Sequence, residues 1–456
     1  MNPSEIRRYL DARSAQAPGT KIQYGHPSPR FWSPSSSRLD DLLSPVQPDR
    51  DLALYVHIPF CVPTEPSACG FCLFAREDLG PYAVVQDYVD TLLLELEQTA
   101  ALTGRRTLGA LYFGGGTPNV LKDRCIRRLF ARIHELFVVT PSTEVTFEGY
   151  PPLFTPERLE TLRDVGCTRI SLGVQTLDPE LLSASGRAVA RQQTIQAITF
   201  CAQHGIRCNA DLITGWFHQT PADVVRDAEQ LIDWGVTGIC NHLLAVAGDS
   251  AFSHRAAELP PTAVMIEAFL AARDAMLGRG FRADGYTDYS APDRPPVRYL
   301  EMYRDVFGSD RIGVGYGANS LLLGTLEQPG HTWKNVADLA VWRERVRSGR
   351  ATADTVFAFA PIDMKLLHVL KGLEGTPWLD EATYAERFGA SLREDFADWW
   401  QEFEARGWLQ WAGGSPRLVG EGLYYTALVQ RSLSEPRNRT LRALRPTRGR
   451  RSLVLA

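Results

Sequence analysis

The chain of 456 residues holds only five lysines, Lys21, Lys122, Lys334, Lys365 and Lys371, so arginine carries its positive charge. This bias reads as genomic codon usage, not function. No run of eighteen apolar residues occurs, which argues against a transmembrane helix. The opening MNPSEIRRYL lacks the apolar stretch of a secretory signal, so a cytoplasmic setting is expected. The net charge of only −4 argues against electrostatic binding of nucleic acid by the whole molecule. Neither nucleic acid nor membrane is an expected partner. Cysteine is sparse as well: eight in this length do not make a disulfide framework, and they are expected to be reduced.

What is present is ordinary for a globular protein, with 44% hydrophobic and 22% charged residues. The length allows two or three domains. Residues 1–50 are rich in Pro and Ser and show no clear periodicity, so an irregular lead-in is expected. From Leu52 short apolar runs alternate with longer amphipathic stretches. The runs are Leu52–Ile58, Leu108–Phe113, Glu144–Phe147, Arg169–Val174, Cys208–Ile213 and Gly238–Val246. The stretches between them are Val85–Thr103, Asp123–Phe137, Thr155–Val165, Gln192–His204 and Pro221–Trp234. This pattern predicts a parallel α/β fold. Six units, not eight, predict a partial (βα)6 TIM-like barrel over 51–260, with functional loops at the C-terminal strand ends.

After residue 260 the alternation stops. Thr262–Arg279 is expected to be helical, within a flanking region 261–350. Residues 351–432 read as short helices and a hairpin at Trp408–Val419, a small winged-helix-like module. The segment 433–456 carries seven arginines (Arg437, Arg439, Arg442, Arg445, Arg448, Arg450, Arg451) and is expected to be a disordered basic tail.

Cys125, Cys167, Cys201, Cys208 and Cys240 are scattered singly and read as small buried hydrophobes. Cys61, Cys69 and Cys72 crowd into twelve residues just beyond the first predicted strand. Three thiolates there could hold zinc, with His57 as a fourth ligand, or three irons of a [4Fe–4S] cluster. The second predicted strand ends in Tyr112-Phe113-Gly114-Gly115-Gly116-Thr117-Pro118. A triple glycine at that point lets a ligand approach the backbone closely.

Together these stretches resemble the radical S-adenosylmethionine (SAM) enzymes of the HemN-like subfamily. That subfamily comprises oxygen-independent coproporphyrinogen III oxidases, heme chaperones and class C radical SAM methyltransferases. Tyr55–Cys61, Tyr112–Pro118, Glu144–Gly149, Ser171–Thr176, Gly186-Arg187, Asn209–Gly215 and Gly313–Ser320 carry the resemblance in order. It implies that Cys61, Cys69 and Cys72 hold a [4Fe–4S] cluster whose open iron binds SAM. It further implies that Tyr55 lies beside SAM and that Gly114, Gly115, Gly116 and Thr117 contact its methionine part. Glu148, Gln175, Arg187 and Asp211 match SAM-binding positions, and Ile213 and Gly313–Ser320 match the region of a second SAM. The C-terminal module would be the HemN-like one.

The departures are informative. Seven residues separate the first two cysteines where the family has three, and the insertion centres on Thr64-Glu65-Pro66-Ser67. Phe74 stands where coproporphyrinogen oxidases carry a further cysteine. Gly215-Trp216-Phe217-His218-Gln219-Thr220 replaces a Gly-Leu-Pro-Gly-Gln-Thr loop, and Tyr150 replaces a frequent Asn. Trp216 and Phe217 either line a pocket for a planar substrate, with His218 as acid/base, or pack a helix on the barrel.

The expected activity is SAM cleavage followed by methylene transfer to an sp² carbon of a natural-product intermediate, giving a methyl group or a cyclopropane. A heme chaperone and a coproporphyrinogen III dehydrogenase are the alternatives. Expected partners are a planar or unsaturated small molecule, an electron donor such as flavodoxin or ferredoxin, and a companion methyltransferase.

Overall fold

The computed structural model describes residues 1–16, 25–64, 69–188, 190–246, 250–375 and 379–444. Six parallel strands run in sequence order across one sheet: β1 (Asp51–Ile58), β2 (Leu108–Gly115), β3 (Glu144–Gly149), β4 (Arg169–Gln175), β5 (Arg207–Thr214) and β6 (Gly238–Leu243). Helices Tyr82–Thr103, Asp123–Leu136, Pro156–Asp164, Arg191–Gln203 and Pro221–Asp233 connect them. This is the succession of βα units that the alternation predicts.

Each connection follows from local chemistry. In helix Asp123–Leu136, Cys125, Ile126, Leu129, Phe130 and Ile133 are buried, one stripe at helical spacing. Pro156 and Pro221 start their helices after Thr155 and Thr220, as proline does where the first N–H has no partner. The strands are buried on both faces, β1 reading Leu52, Ala53, Leu54, Val56 and Ile58 in the core.

The sheet has 13 strands and continues on both sides of the six. Beyond β6 lies β7 (Asp288–Ser290), antiparallel, with Asp288 opposite Cys240. Beyond β1 lies β8 (Ser309–Val314), parallel to it, then antiparallel β9 (Asn319–Leu323), β10 (Gly330–Asn335) and β11 (Ala353–Ala358). The boundary expected at 350/351 therefore falls within the sheet, because β11 pairs along β10. Among the described residues, no helix is long and apolar enough to cross a membrane.

Two expectations are corrected. The lead-in is not wholly irregular: Pro3–Ser14 is a helix, closed by an Asn2–Glu5 capping box. Its Ile6 and Leu10 enter the core of the C-terminal module beside Trp399, Phe403 and Val429. The basic tail is helical over Glu435–Ala443, where Arg439 and Arg442 bond Glu435. Arg445, Arg448, Arg450 and Arg451 lie outside the described residues. The expected hairpin is present as Leu409–Ala412 paired with Ser415–Leu418.

Asp363 ties three distant segments together. Its buried carboxylate accepts two hydrogen bonds from Arg437, at 2.9 and 2.8 Å. It also accepts 3.0 Å from His26 Nε2 and 2.9 Å from the Ala360 N–H. Burial lowers the His26 pKa, and the Asp363 carboxylate opposes that shift. Burial alone would raise Asp363, but these donors outweigh it and hold the carboxyl down at about 2, against 3.8 when exposed. Its stabilisation is complete above 3.8 and is lost as pH falls towards 2. We expect Asp363→Asn to cost about 3 kcal/mol in urea unfolding at pH 7, with the difference from wild type shrinking below pH 4.

Candidate active site

The chemistry-bearing side chains gather at the C-terminal ends of β1 to β6. Cys61 lies just past β1, where Phe60–Cys61 pairs with Glu77–Asp78 and so closes the base of the cysteine loop. Residues 65–68, most of the insertion, lie outside the described residues. The rest of the loop is anchored firmly. The Gly70 N–H donates to Ser185 O at 3.1 Å, and the Phe252 N–H donates to Gly70 O at 2.9 Å. The Phe71 ring meets Trp216 edge-on, with centroids 5.5 Å apart.

Each sulfur has its own donor. Thr117 Oγ1 approaches Cys61 Sγ at 3.6 Å, Arg187 Nη1 approaches Cys69 Sγ at 3.5 Å, and the Phe74 N–H serves Cys72. Burial raises the thiol pKa of Cys61 and Cys72, while these donors favour the thiolate. The only Cys/His/acid group of three whose ligand atoms lie within 4.8 Å among the described residues is elsewhere, so the trio is spread wider than one ion would hold it. His57 is not a fourth ligand: its Nε2 bonds Ala75 O at 3.3 Å, and burial pushes its pKa down to about 4. Three separated, individually solvated sulfurs fit three irons of a cluster better than a closed zinc site. Arg187 Nε, buried without a hydrogen-bond partner, leaves a free donor beside them.

The triple glycine is also required by packing. A Cβ on Gly116 would lie 2.5 Å from Pro59 O, and one on Gly115 would lie 2.6 Å from the His57 ring. Gly115 also has φ 113°. Gly114 would meet Glu148 Oε2 at 2.7 Å. The glycines let two strand ends and their side chains close upon each other.

Behind them lies a group of buried acids and tyrosines. Tyr112 OH donates to Glu148 Oε1 and stacks at 5.9 Å on Tyr55. Burial, helped by the charge of Asp211, raises the Glu148 pKa to about 7. Burial likewise raises Asp211, which accepts 2.8 Å from Asn209 Nδ2 and 3.4 Å from Ser171 Oγ. Buried Arg169 supplies positive charge to both Tyr112 and Asp211. Gln175 ends β4 in the left-handed region, at φ 73°, with a register shift between Gly173 and Gln175. Such strain persists only where the surroundings enforce it. Arg187 bonds Gly173 O beside it and stacks over Tyr150 at 4.5 Å.

The structure thus brings together Tyr55, Gly114, Gly115, Gly116, Thr117, Glu148, Gln175, Arg187, Asp211 and the three cysteines. Ile213 follows Asp211 by two on the same face of β5, opposite His242, and packs in an apolar cluster with Trp216, Phe217, Leu244 and Phe252. Trp216 and Phe217 are fully enclosed there, so the packing alternative holds and neither lines an open pocket. His218 is exposed at φ 59°, with Glu258 as an electrostatic neighbour, and stands outside the acid group. The Gly313–Ser320 segment packs on β1 and its neighbours, with the Gly315 N–H donating to Glu95 at 2.7 Å.

Sequence reasoning missed Cys240. It is not simply a buried hydrophobe, since its sulfur lies 3.3 Å from His242 Nε2 and 3.0 Å from Asp288 Oδ1. The available signal was Cys240 and His242 two apart on a strand, hence on one face.

Residues 55–231 match the family model described as the radical SAM superfamily. The chain carries a radical SAM domain. Its relatives are of the HemN type. It is 26% identical over 407 residues to an anaerobilin synthase of Escherichia coli O157:H7, covering 87% of this chain and 86% of that one. It is 28% identical over 269 residues to the heme chaperone HemW of Escherichia coli K12, covering 59% of this chain and 69% of that one. The crystal structure of the Escherichia coli coproporphyrinogen III oxidase HemN superposes with a TM-score of 0.77 over 92% of this chain and 98% of that one, at 20% identity. That likeness shows the HemN fold, and the family implies a [4Fe–4S] cluster and SAM.

Gly116→Ala should disrupt this site, because backbone oxygens of Pro59 and Phe60 occupy the space a Cβ needs. We expect the melting temperature to fall by several degrees, at about 2 kcal/mol or more. Gly166→Ala, with open space around it but φ 88°, should cost about 1 kcal/mol.

Proposed function

We propose that this protein is a radical SAM enzyme that cleaves SAM reductively and uses the product to modify a planar, unsaturated small molecule. The observation that carries this reading is the set of three cysteine sulfurs, each with its own donor, beside the acids of the strand ends. When bound, the [4Fe–4S] cluster supplies one electron to cleave SAM to methionine and a 5′-deoxyadenosyl radical. Cys61, Cys69 and Cys72 would hold that cluster. Arg187 suits a carboxylate, and Glu148 and Asp211 suit an ammonium or ribose hydroxyls. Tyr112 orients Glu148 through its hydroxyl. Phe71, Trp216 and Phe252 keep one side of the cysteine loop dry. The electron would come from a flavodoxin- or ferredoxin-type donor.

For the fate of the substrate, we propose transfer of a SAM-derived methylene to an sp² carbon, as methylation or cyclopropanation, with a companion methyltransferase as a partner. Phe74 in place of a further cysteine supports this over the coproporphyrinogen reaction. A second reading is favoured by the relatives: ring-modifying radical chemistry, from the length of the anaerobilin synthase match, or heme carriage without turnover, from the heme chaperone match.

Anaerobic reconstitution should give about four irons and four sulfides per chain, and SAM with a strong reductant should then give 5′-deoxyadenosine. Cys61→Ala should lose both. Stoichiometric zinc without iron, or full activity of Cys61→Ala, overturns the radical reading. With methyl-deuterated SAM and the acceptor, deuterium in 5′-deoxyadenosine is the expected mark of methylene transfer. Heme consumption with unlabelled 5′-deoxyadenosine selects the ring-modifying reading, and heme binding without turnover selects carriage.

A further inference from the structure

Asp211 on β5, Cys240 on β6 and Asp288 on β7 occupy one row of the sheet, since Cys240 pairs with Asp211 on one side and with Asp288 on the other. His242 follows two residues later on the same face of β6. The ligand atoms of Asp211, Cys240 and His242 all lie within 4.8 Å of one another. Cys240 Sγ is 3.3 Å from His242 Nε2 and 3.0 Å from Asp288 Oδ1. We propose that Asp211, Cys240 and His242 form a second metal site, for a zinc-type divalent cation, distinct from the cysteine trio.

The separations support this. Ligands about 2.0–2.3 Å from a tetrahedral ion stand roughly 3.3–3.8 Å from one another, and the 3.3 Å between Cys240 Sγ and His242 Nε2 already has that length. One sulfur, one imidazole and one carboxylate oxygen, with a fourth position left open, suit zinc or cobalt, and exclude magnesium and calcium as the favoured ions. Charge also balances. One carboxylate and one thiolate match the ion's charge, and Asp288 beside the sulfur is paired with buried Arg304. Without an ion the thiol keeps its proton and donates to Asp288. Binding replaces that proton with the metal–sulfur bond and releases it to solvent.

His242 is the exposed member, so the ion can enter past it. The strand pairing places the site on the same side of the sheet as Asn209 and Ser171, which bond Asp211. Cys240, His242 and Asp288 are not among the positions matched to SAM binding. The site therefore does not depend on the radical reading, although Asp211 is shared with it.

The test uses the full chain with Cys61, Cys69 and Cys72 replaced by Ser, which removes the other thiolates able to bind metal. Cobalt(II) added anaerobically should bind at one equivalent and show a sulfur-to-cobalt charge-transfer band in the near ultraviolet. Cys240→Ser in that background should abolish the band, and His242→Ala should weaken binding about tenfold or more. No stoichiometric binding, a band that survives Cys240→Ser, or an affinity unchanged by His242→Ala overturns the proposal. Metal analysis of the reconstituted wild-type protein provides a second measurement. It should find one zinc per chain beyond the cluster iron after zinc addition, and none in Cys240→Ser. Equal zinc in the two proteins overturns the proposal.

Discussion

The site depends on one close approach. The ends of β1 and β2 come together so tightly that Gly116 leaves no room for a Cβ against Pro59 O. The Gly116 N–H donates to Ile58 O at 2.8 Å, and the Thr117 N–H donates to Phe60 O at 2.9 Å. That contact continues the β1–β2 ladder past the sheet edge and delivers Thr117 to Cys61. His57, pressed against Gly115, reaches Ala75 beyond the third cysteine. The start and the end of the cysteine loop are thus both fixed to the same two strand ends. A residue with a side chain at 115 or 116 would separate them.

A second constraint holds the added strands to the barrel. Glu95, fully buried in helix Tyr82–Thr103, accepts from four donors: Gly315 N–H, Trp342 Nε1, Thr352 Oγ1 and Asn335 Nδ2. Burial raises its pKa to about 7, and these donors oppose that shift. They come from the β8–β9 turn, helix Leu339–Arg347 and the ends of β10 and β11. Gly315 also packs against Tyr88 OH and His57 O. The GVGYGANS segment therefore braces the floor beneath the cysteine loop.

The barrel was legible because each βα unit carries its own periodicity. Every predicted strand is present, with ends shifted by a few residues. The helix at Pro3–Ser14 was hidden by the Pro- and Ser-rich segment after it, although Asn2 and Glu5 spell a capping box. The helix at Glu435–Ala443 was hidden by its arginines. They look like a solvated tail until Asp363 and Glu435 are seen to take them up. The candidate site was legible through the family motifs. Cys240 was not, because what makes it more than a core residue lies on other strands: Asp211, and Asp288 some fifty residues away.

Two of the departures from the family pattern belong together. A longer span between Cys61 and Cys69 raises the entropic cost of closing the loop that carries the three sulfurs, a cost that grows slowly with length. The aromatic replacement after β5 supplies a support for that loop. Trp216 meets Phe71 from within it and meets Phe252, whose N–H also binds Gly70. Phe217 packs on the other side of Phe252, at 4.7 Å. A Leu-Pro at these positions would offer less surface and no edge-to-face contact to Phe71. The aromatics that suggest a substrate pocket in the sequence act instead as the seat of the cysteine loop.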